Sequence, residues 1–536
     1  MDYSHANRRP ALAEVDNSRF LRFHAKVCMV AGIGFFASAY NILAIGIAST
    51  MLGYVYDPTI RSLKTTQDLA LKVAAPIGTV IGQILFGWLA DVLGRKRMYG
   101  IEMIIIIVAT FAQTLVPRIA TASTMVAVLG VFRFIAGWIG DRGDYPLSAV
   151  ITSEFAPTRF RGRMVAVVFG CQGLASLMAS LAPFVLIAAY KTSILKSIGA
   201  QDGKELAYID AMWRIVIELG VIPSCIALYS RLTIPETYRF TMDVQRNIAE
   251  AIKDIGTSLD GTSCGPGMTV ISHNDTVPVA SWEDLRLYFS QFQHFKALFG
   301  TAYSWFALDV AFYTLNLNSP IILENIAFGK GTDYQDQLSS CDMTDPGIFH
   351  VLITSSRGSL ILAAAASLPG YLFSIGLIDF WGRKPIQHMG FIVLTILFMI
   401  MGMLFCVHDL RLNGMTWFAI LYSLATFFQN FGPNTTTFVV PAELFPTRYR
   451  ATAYGICAAC GKLGAIVAQI GFSSIQVNNN DNNKDNTDLQ LIAFFMLSGV
   501  FSTFLLPETK GKSLEDLAGE KELEESHEEH IPLIQR

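Results

Sequence analysis

One loop signature occurs twice in this chain, 288 residues apart. The first copy is Asp91-Val92-Leu93-Gly94-Arg95-Lys96 and the second is Asp379-Phe380-Trp381-Gly382-Arg383-Lys384. A second pattern follows each copy: Glu154-x-x-Pro157-Thr158-Arg159-x-Arg161, then Glu443-x-x-Pro446-Thr447-Arg448-x-Arg450, 289 residues apart. Two unrelated motifs sharing nearly one offset make the chain two copies of one unit. Apolar spans flank both copies. Two parallel membrane halves with a site between them are the architecture of a secondary transporter.

Composition agrees. Only 15% of the 536 residues are charged, against about 25% in a soluble domain. The mean hydropathy is +0.42 and there are 37 phenylalanines. The net charge of -3 matters less than its distribution: basic residues sit in a few short loops and acidic residues in the tail. No basic patch points to nucleic acid. Cys457-x-x-Cys460 has a redox or metal spacing, but it lies in a helical span without a second ligand pair, so packing is expected. No metal-ligand cluster, nucleophile elbow or phosphate-cradling loop argues for an enzyme or a cofactor.

A membrane-crossing helix needs roughly 20 mostly apolar residues. Six candidates occupy residues 27–54, 69–91, 98–118, 122–147, 164–190 and 210–232, and six more 295–323, 350–379, 386–407, 414–440, 450–474 and 488–506. The expected division is a terminal segment 1–26, a half 27–232, a polar, partly helical linker 233–294, a half 295–506 and an acidic tail 507–536. Arg95-Lys96-Arg97, Arg159 to Arg163, Arg383-Lys384 and Arg448 to Arg450 follow spans 2, 4, 8 and 10, all on one side. Basic short loops are retained in the cytoplasm, which places both termini there. No signal peptide is read. Residues 191–209, 324–348 and 476–487 fall on the opposite side.

Ionisable and amide groups inside these spans are the candidate site. A charge at mid-bilayer costs about 2.5–3.5 kcal/mol, so Asp144 and Asp309 should face a cavity. Trp305, Asp309 and Tyr313 recur every four residues, hence on one helix face. Tyr145 neighbours Asp144. Gln172 and Asn434 are amides in need of partners. Lys462, the sole lysine of span 11, needs an anion. Hydroxyl and amide donors around a cation suit a tetrahedral oxyanion. A carboxylate beside such an anion is repelled unless protonated, so protonation of Asp309 would couple to anion binding. Glu154 is expected to pair with Arg159 or Arg161. Asp91, Gly94 and Arg95, with Asp379 and Arg383, are read as a structural or gating motif in which Gly94 permits a tight turn.

Gly87-x-x-x-Asp91-x-x-Gly94-Arg95-Lys96-Arg97 resembles the signature of the major facilitator superfamily, and Pro235-Glu236-Thr237 with Pro507-Glu508-Thr509 resembles its sugar-porter-like branch. Three stretches resemble the phosphate:proton symporter family of fungi and plants: Gly143-Asp144-Tyr145-Pro146, Trp305-x-x-x-Asp309-Val310-Ala311-Phe312-Tyr313, and Gly432-Pro433-Asn434-Thr435 followed by Pro441-Ala442-Glu443. The resemblance covers about Asn7 to Leu514, with fungal members nearest. It implies an all-α membrane protein with twelve helices in two six-helix halves, taking up inorganic phosphate with protons across the plasma membrane by alternating access. By resemblance, Tyr145, Gln172, Trp305, Asp309, Tyr313, Asn434 and Lys462 match phosphate-binding positions. Asp309 and Asp144 match proton carriers, and Glu102 also matches a family position.

The chain departs from that family in places. Ser38 and Asn41 stand where its first span carries two aspartates, and neither titrates. Asp141-Arg142 interrupts the glycine run before Asp144, and Glu218 and Pro320 are unexpected in spans 6 and 7. Three readings stay open: altered proton coupling, a changed substrate such as a glycerophosphodiester, or a phosphate-sensing transceptor.

Overall fold

The computed structural model describes residues 12–56, 63–117, 121–140, 144–200, 204–233, 235–245, 247–259, 282–320, 322–323, 347–406, 413–477 and 485–518. The described residues form helices and no strands. They build twelve spans in two six-helix halves. Spans 2, 3, 5, 7, 9, 11 and 12 are single helices: Thr65–Leu93, Arg95–Thr114, Arg161–Ala200, Phe292–Leu317, Arg383–Cys406, Arg450–Val477 and Asp485–Phe504. The other five are broken. Span 1 is Arg22–Leu43 and Ile45–Tyr56, and span 6 is Glu205–Glu218 and Val221–Arg231. Span 4 runs Ala122–Ile135, a π-helical turn Ala136–Gly140, then Asp144–Phe155. Span 8 has the same plan: Gly347–Leu362, a π-helical turn Ala363–Ser367, and Leu368–Trp381. Span 10 breaks before Gly432-Pro433 into Asn413–Asn430 and Pro433–Leu444.

Span 5 is 40 residues long, about 60 Å at 1.5 Å per residue. It outruns the ~30 Å hydrocarbon core, so part of the expected 191–209 loop is helix. Three short helices, Tyr238–Asp243, Ile248–Leu259 and Trp282–Ser290, lie between the halves in sequence. Most of 324–348, 476–487 and the tail beyond 518 fall outside the described residues.

Large apolar side chains face outward in stripes. Ile77, Ile81, Ile84 and Leu85 do so on span 2, and Ile392, Ile396, Met399 and Met403 on span 9. Glu102, Asp309, Asn434 and Lys462 are buried instead. An apolar exterior around a polar interior suits lipid. The halves meet where span 11 lies along span 2 and span 5 along span 8. Glycine allows the first crossing: a Cβ on Gly87 would lie 2.5 Å from the Ala451 carbonyl oxygen.

Candidate functional site

Midway along span 7, Trp305, Asp309 and Tyr313 share one buried face. Span 11 brings Lys462, only 3% exposed, against it. Its Nζ donates to Asp309 Oδ2 at 3.1 Å and to the Tyr313 hydroxyl at 2.8 Å. The same ammonium stands 4.6 Å from the Tyr313 ring centre and 4.9 Å from that of Tyr145, a residue of the other half. Tyr145 and Trp305 approach with ring centres 6.4 Å apart. Gly461 makes room, since a Cβ there would meet Trp305 Cδ1 at 2.6 Å and Asp309 Oδ2 at 3.0 Å.

The break in span 10 presents Asn434, whose Nδ2 donates to the Tyr371 hydroxyl and to Asn430 Oδ1, both at 2.8 Å. Gln172 on span 5 is 3% exposed, and its Oε1 has no hydrogen-bond partner. Its neighbour Gly173 abuts the Tyr371 ring. Tyr371 and Asn430 were not singled out from sequence. The signals available were a tyrosine within span 8 and the four-residue spacing of Asn430 and Asn434.

Aromatic rings close the site toward the face carrying the Gly94 and Gly382 turns. Phe35 lies 4.7 Å from Tyr145, Phe169 stacks on Phe438 at 4.4 Å, and Trp305 meets Tyr454 at 5.5 Å between ring centres. Each of Trp305, Tyr454 and Phe169 lies nearer that end of its helix than Asp309, Lys462 and Gln172 do.

At that face the two repeats fold into matching clasps. Gly94 and Gly382 have φ of 102° and 104°, a region that favours glycine. The helix after each turn is capped by a glutamate of a Pro-Glu-Thr motif: Glu236 accepts from the Lys96 N–H at 3.1 Å, and Glu508 from the Lys384 N–H at 3.0 Å. Each motif aspartate then binds a helix start in the opposite half. Asp91 accepts from the Thr452 N–H at 2.8 Å and its hydroxyl at 2.7 Å, and Asp379 from the Arg163 N–H at 2.9 Å. Carboxylates at helix N-termini are favourable there.

Buried arginines complete the clasps. Arg95 sits 3.3 Å from both Asp91 and Glu154 and donates to the Thr447 carbonyl at 2.7 Å. Arg383 pairs with Asp379 at 3.0 Å and Glu443 at 2.8 Å. Glu154 departs from expectation. Its partners are Arg450 of the other half at 2.8 Å and Arg95, rather than Arg159 or Arg161, because the helix points it across the interface. Outside the spans, Arg239 joins Asp16 to Glu515, each at 2.9 Å. Burial pushes the Glu515 carboxyl up, but the Arg239 guanidinium outweighs it and holds the pKa down at about 2.

Other expected groups stand apart. Glu102 is fully buried and 3.9 Å from Arg231 on span 6. Arg231 in turn lies 3.7 Å from the Tyr99 ring centre. Asp141, Arg142 and the Asp144 side chain are outside the described residues. The Asn41 amide has no hydrogen-bond partner and borders a cavity of about 20 Å³ with Thr110, Gln113 and Arg133. No group of His, Cys, Asp or Glu among the described residues could hold a metal.

The pattern of the sugar (and other) transporter family matches residues 27–330 and 345–520. The repressible high-affinity phosphate permease of Neurospora crassa is 41% identical over 96% of this chain and 89% of its own length. The inorganic phosphate transporter PHO84 of Saccharomyces cerevisiae is 42% identical over 95% of this chain and 86% of its own. Among solved structures, the proton:xylose symporter XylE bound to 6-bromo-6-deoxy-D-glucose superposes with a TM-score of 0.68 over 93% of this chain and 99% of that one, at 18% identity. That last likeness concerns the fold alone. The chain belongs to the sugar (and other) transporter family of the major facilitator superfamily.

Proposed function

We propose that this chain carries inorganic phosphate, together with protons, across the plasma membrane by alternating access of its halves. The observation that carries the reading is the buried Lys462 ammonium, held by Asp309 and Tyr313 and faced by Tyr145 of the other half. The names of the Neurospora and yeast relatives support the substrate.

Asp309 acts as the counter-ion that Lys462 keeps while phosphate is absent. Phosphate competes for the same ammonium, so it binds best once Asp309 takes a proton. Tyr145, Gln172, Trp305, Tyr313 and Asn434 surround the anion, with Gln172 Oε1 available to accept from a P–OH. Ligands from both halves let phosphate draw them together, which an alternating-access cycle requires. Asp91, Gly94, Arg95, Asp379 and Arg383 latch one closed face, which the basic loops assign to the cytoplasm with both termini. Asp144 and Glu102 are the remaining candidate proton carriers. The 27–232 and 295–506 divisions are the rocking bodies, and 233–294 joins them.

The test is labelled phosphate uptake in yeast lacking its own phosphate transporters, at acid and neutral pH, with and without a protonophore. Acid-stimulated, protonophore-sensitive uptake is expected. Uptake indifferent to both would make the chain a facilitator. No uptake by surface-expressed protein would overturn the phosphate reading.

A further inference from the structure

One turn beyond the Lys462 site, away from the Gly94 and Gly382 face, lies a cavity of about 40 Å³ between the halves. Spans 1 and 5 line one side, and spans 7, 8 and 10 the other. A water needs roughly 10–15 Å³ by this measure, so there is space for a small solute. Three helices climb from the site to this cavity in steps of about four residues. Gln172 leads to Ser176 and Ser180, Tyr313 to Asn316, and Asn434 through Asn430 to Thr426. The route is hydrogen-bonded: Asn434 donates to Asn430 Oδ1 at 2.8 Å, and Asn430 Nδ2 donates to Ser367 Oγ at 3.1 Å at the cavity wall. Ser367 ends the π-helical turn of span 8, and such turns often mark functional sites.

Two kinds of hydroxyl matter among those lining the cavity. Ser180, Ser319 and Thr426 already donate to backbone carbonyls, at 3.0, 3.1 and 2.9 Å, and present only lone pairs to the cavity. Ser356, 1% exposed, and Ser359 have buried Oγ atoms with no partner. A buried donor left unsatisfied forfeits its hydration without recompense. Serine also serves close helix packing in membranes, but packing alone would leave neither a cavity nor two idle hydroxyls. Among the described residues no charged side chain lines the space.

We propose that this cavity is an outer subsite for dihydrogen phosphate, occupied before the anion reaches Lys462. The inference rests on the phosphate reading above. Ser356 and Ser359 donate to the P–O oxygens, and Ser180, Ser319 and Thr426 accept from the P–OH groups. A ligand must therefore both donate and accept, which sulfate cannot. With no cation in the lining, a dianion is disfavoured more strongly than a monoanion, because the cost of burying charge grows with its size. Phosphate is thus selected by protonation state before it meets the buried ion pair.

The experiment compares phosphate uptake by wild type, the Ser356→Ala/Ser359→Ala double variant and the Ser356→Thr/Ser359→Thr double variant. The full-length chain is expressed in transporter-null yeast and rates are normalised to surface protein. Two lost hydrogen bonds of about 0.5–1.5 kcal/mol each predict a KM raised roughly 5- to 150-fold with the maximal rate retained, and restoration by threonine, which keeps the hydroxyl. Where the double alanine variant fails to reach the surface, Ser356→Ala is read instead, with a smaller rise expected. Unchanged KM in a transporting protein overturns the subsite and leaves a water pocket. A raised KM that threonine does not restore also overturns it, because shape rather than the hydroxyl would then matter. No uptake by wild type would instead sink the phosphate reading, and the subsite with it.

Discussion

Replacing Asp309 by asparagine separates the two parts that the carboxylate plays. In the structure its Oδ2 lies 3.1 Å from Lys462 Nζ. At that distance and an effective dielectric near 20, the attraction is about 5 kcal/mol. Phosphate must overcome this to take the ammonium, and a proton on Asp309 removes most of it. The asparagine amide is neutral at every pH, so Asp309→Asn should bind phosphate at neutral pH at least about tenfold more tightly than wild type, a cautious fraction of that energy. Wild-type affinity should rise toward the variant's as pH falls. Phosphate also titrates in this range, but identically for both proteins, so the ratio of their affinities isolates Asp309. The assay is equilibrium binding of labelled phosphate to purified protein at several pH values between 5 and 8, paired with uptake. The variant should bind but lose protonophore-sensitive accumulation. A ratio near one at all pH values would refute the competition argument, and a persistent acid optimum of uptake would move the coupling to Asp144 or Glu102.

Other outcomes follow from the same contacts. Lys462→Ala removes the cation and leaves Asp309 buried without its partner. A hydrogen bond from a charged donor is worth about 1.5–3 kcal/mol, so phosphate binding should fall at least about tenfold, and unchanged affinity would contradict the assignment. Gly461→Ala puts a methyl 2.6 Å from Trp305 Cδ1. Overpacking of this kind costs roughly 1–3 kcal/mol, so the melting temperature should drop and KM rise, whereas a silent substitution would show the site to be loosely built. The Glu515–Arg239 contact makes a pH prediction. Folding lowers the Glu515 pKa from 4.5 to about 2, so its stabilisation is complete above about pH 4.5 and is lost as pH falls toward 2. The melting temperature of wild type should exceed that of Glu515→Gln at pH 7, with the gap narrowing at pH 3; a constant gap would show that charge is not involved.

The twelve spans and two halves were legible because lipid imposes a length and a polarity that apolar runs display directly. The duplication was legible because each loop motif meets the same steric demand: Gly94 and Gly382 turn the chain, and the aspartate before each binds a helix start. The face of Trp305, Asp309 and Tyr313 followed from helical spacing, and Lys462 stood out as the sole lysine of span 11, but the pairing of the two became visible only in the packed structure. Partners from distant spans were not legible. Glu154 reaches Arg450, 296 residues away, while sequence proximity favoured Arg159 and Arg161. Asn430, Tyr371 and Arg231 became visible only once the spans were packed, since their partners Asn434, Asn434 and Glu102 lie on other helices. The π-helical turns likewise lack a local signature; small residues such as Ala363 to Ser367 permit them.

The central claim is that the Lys462 site moves phosphate on proton energy. Purified protein reconstituted into liposomes tests it without any host transporter. With the outside acid and the inside neutral, labelled phosphate should accumulate above its external concentration, and collapsing the gradient with a protonophore should release it. Equilibration without accumulation under the same gradient would contradict proton coupling, and no phosphate movement at all would contradict the substrate.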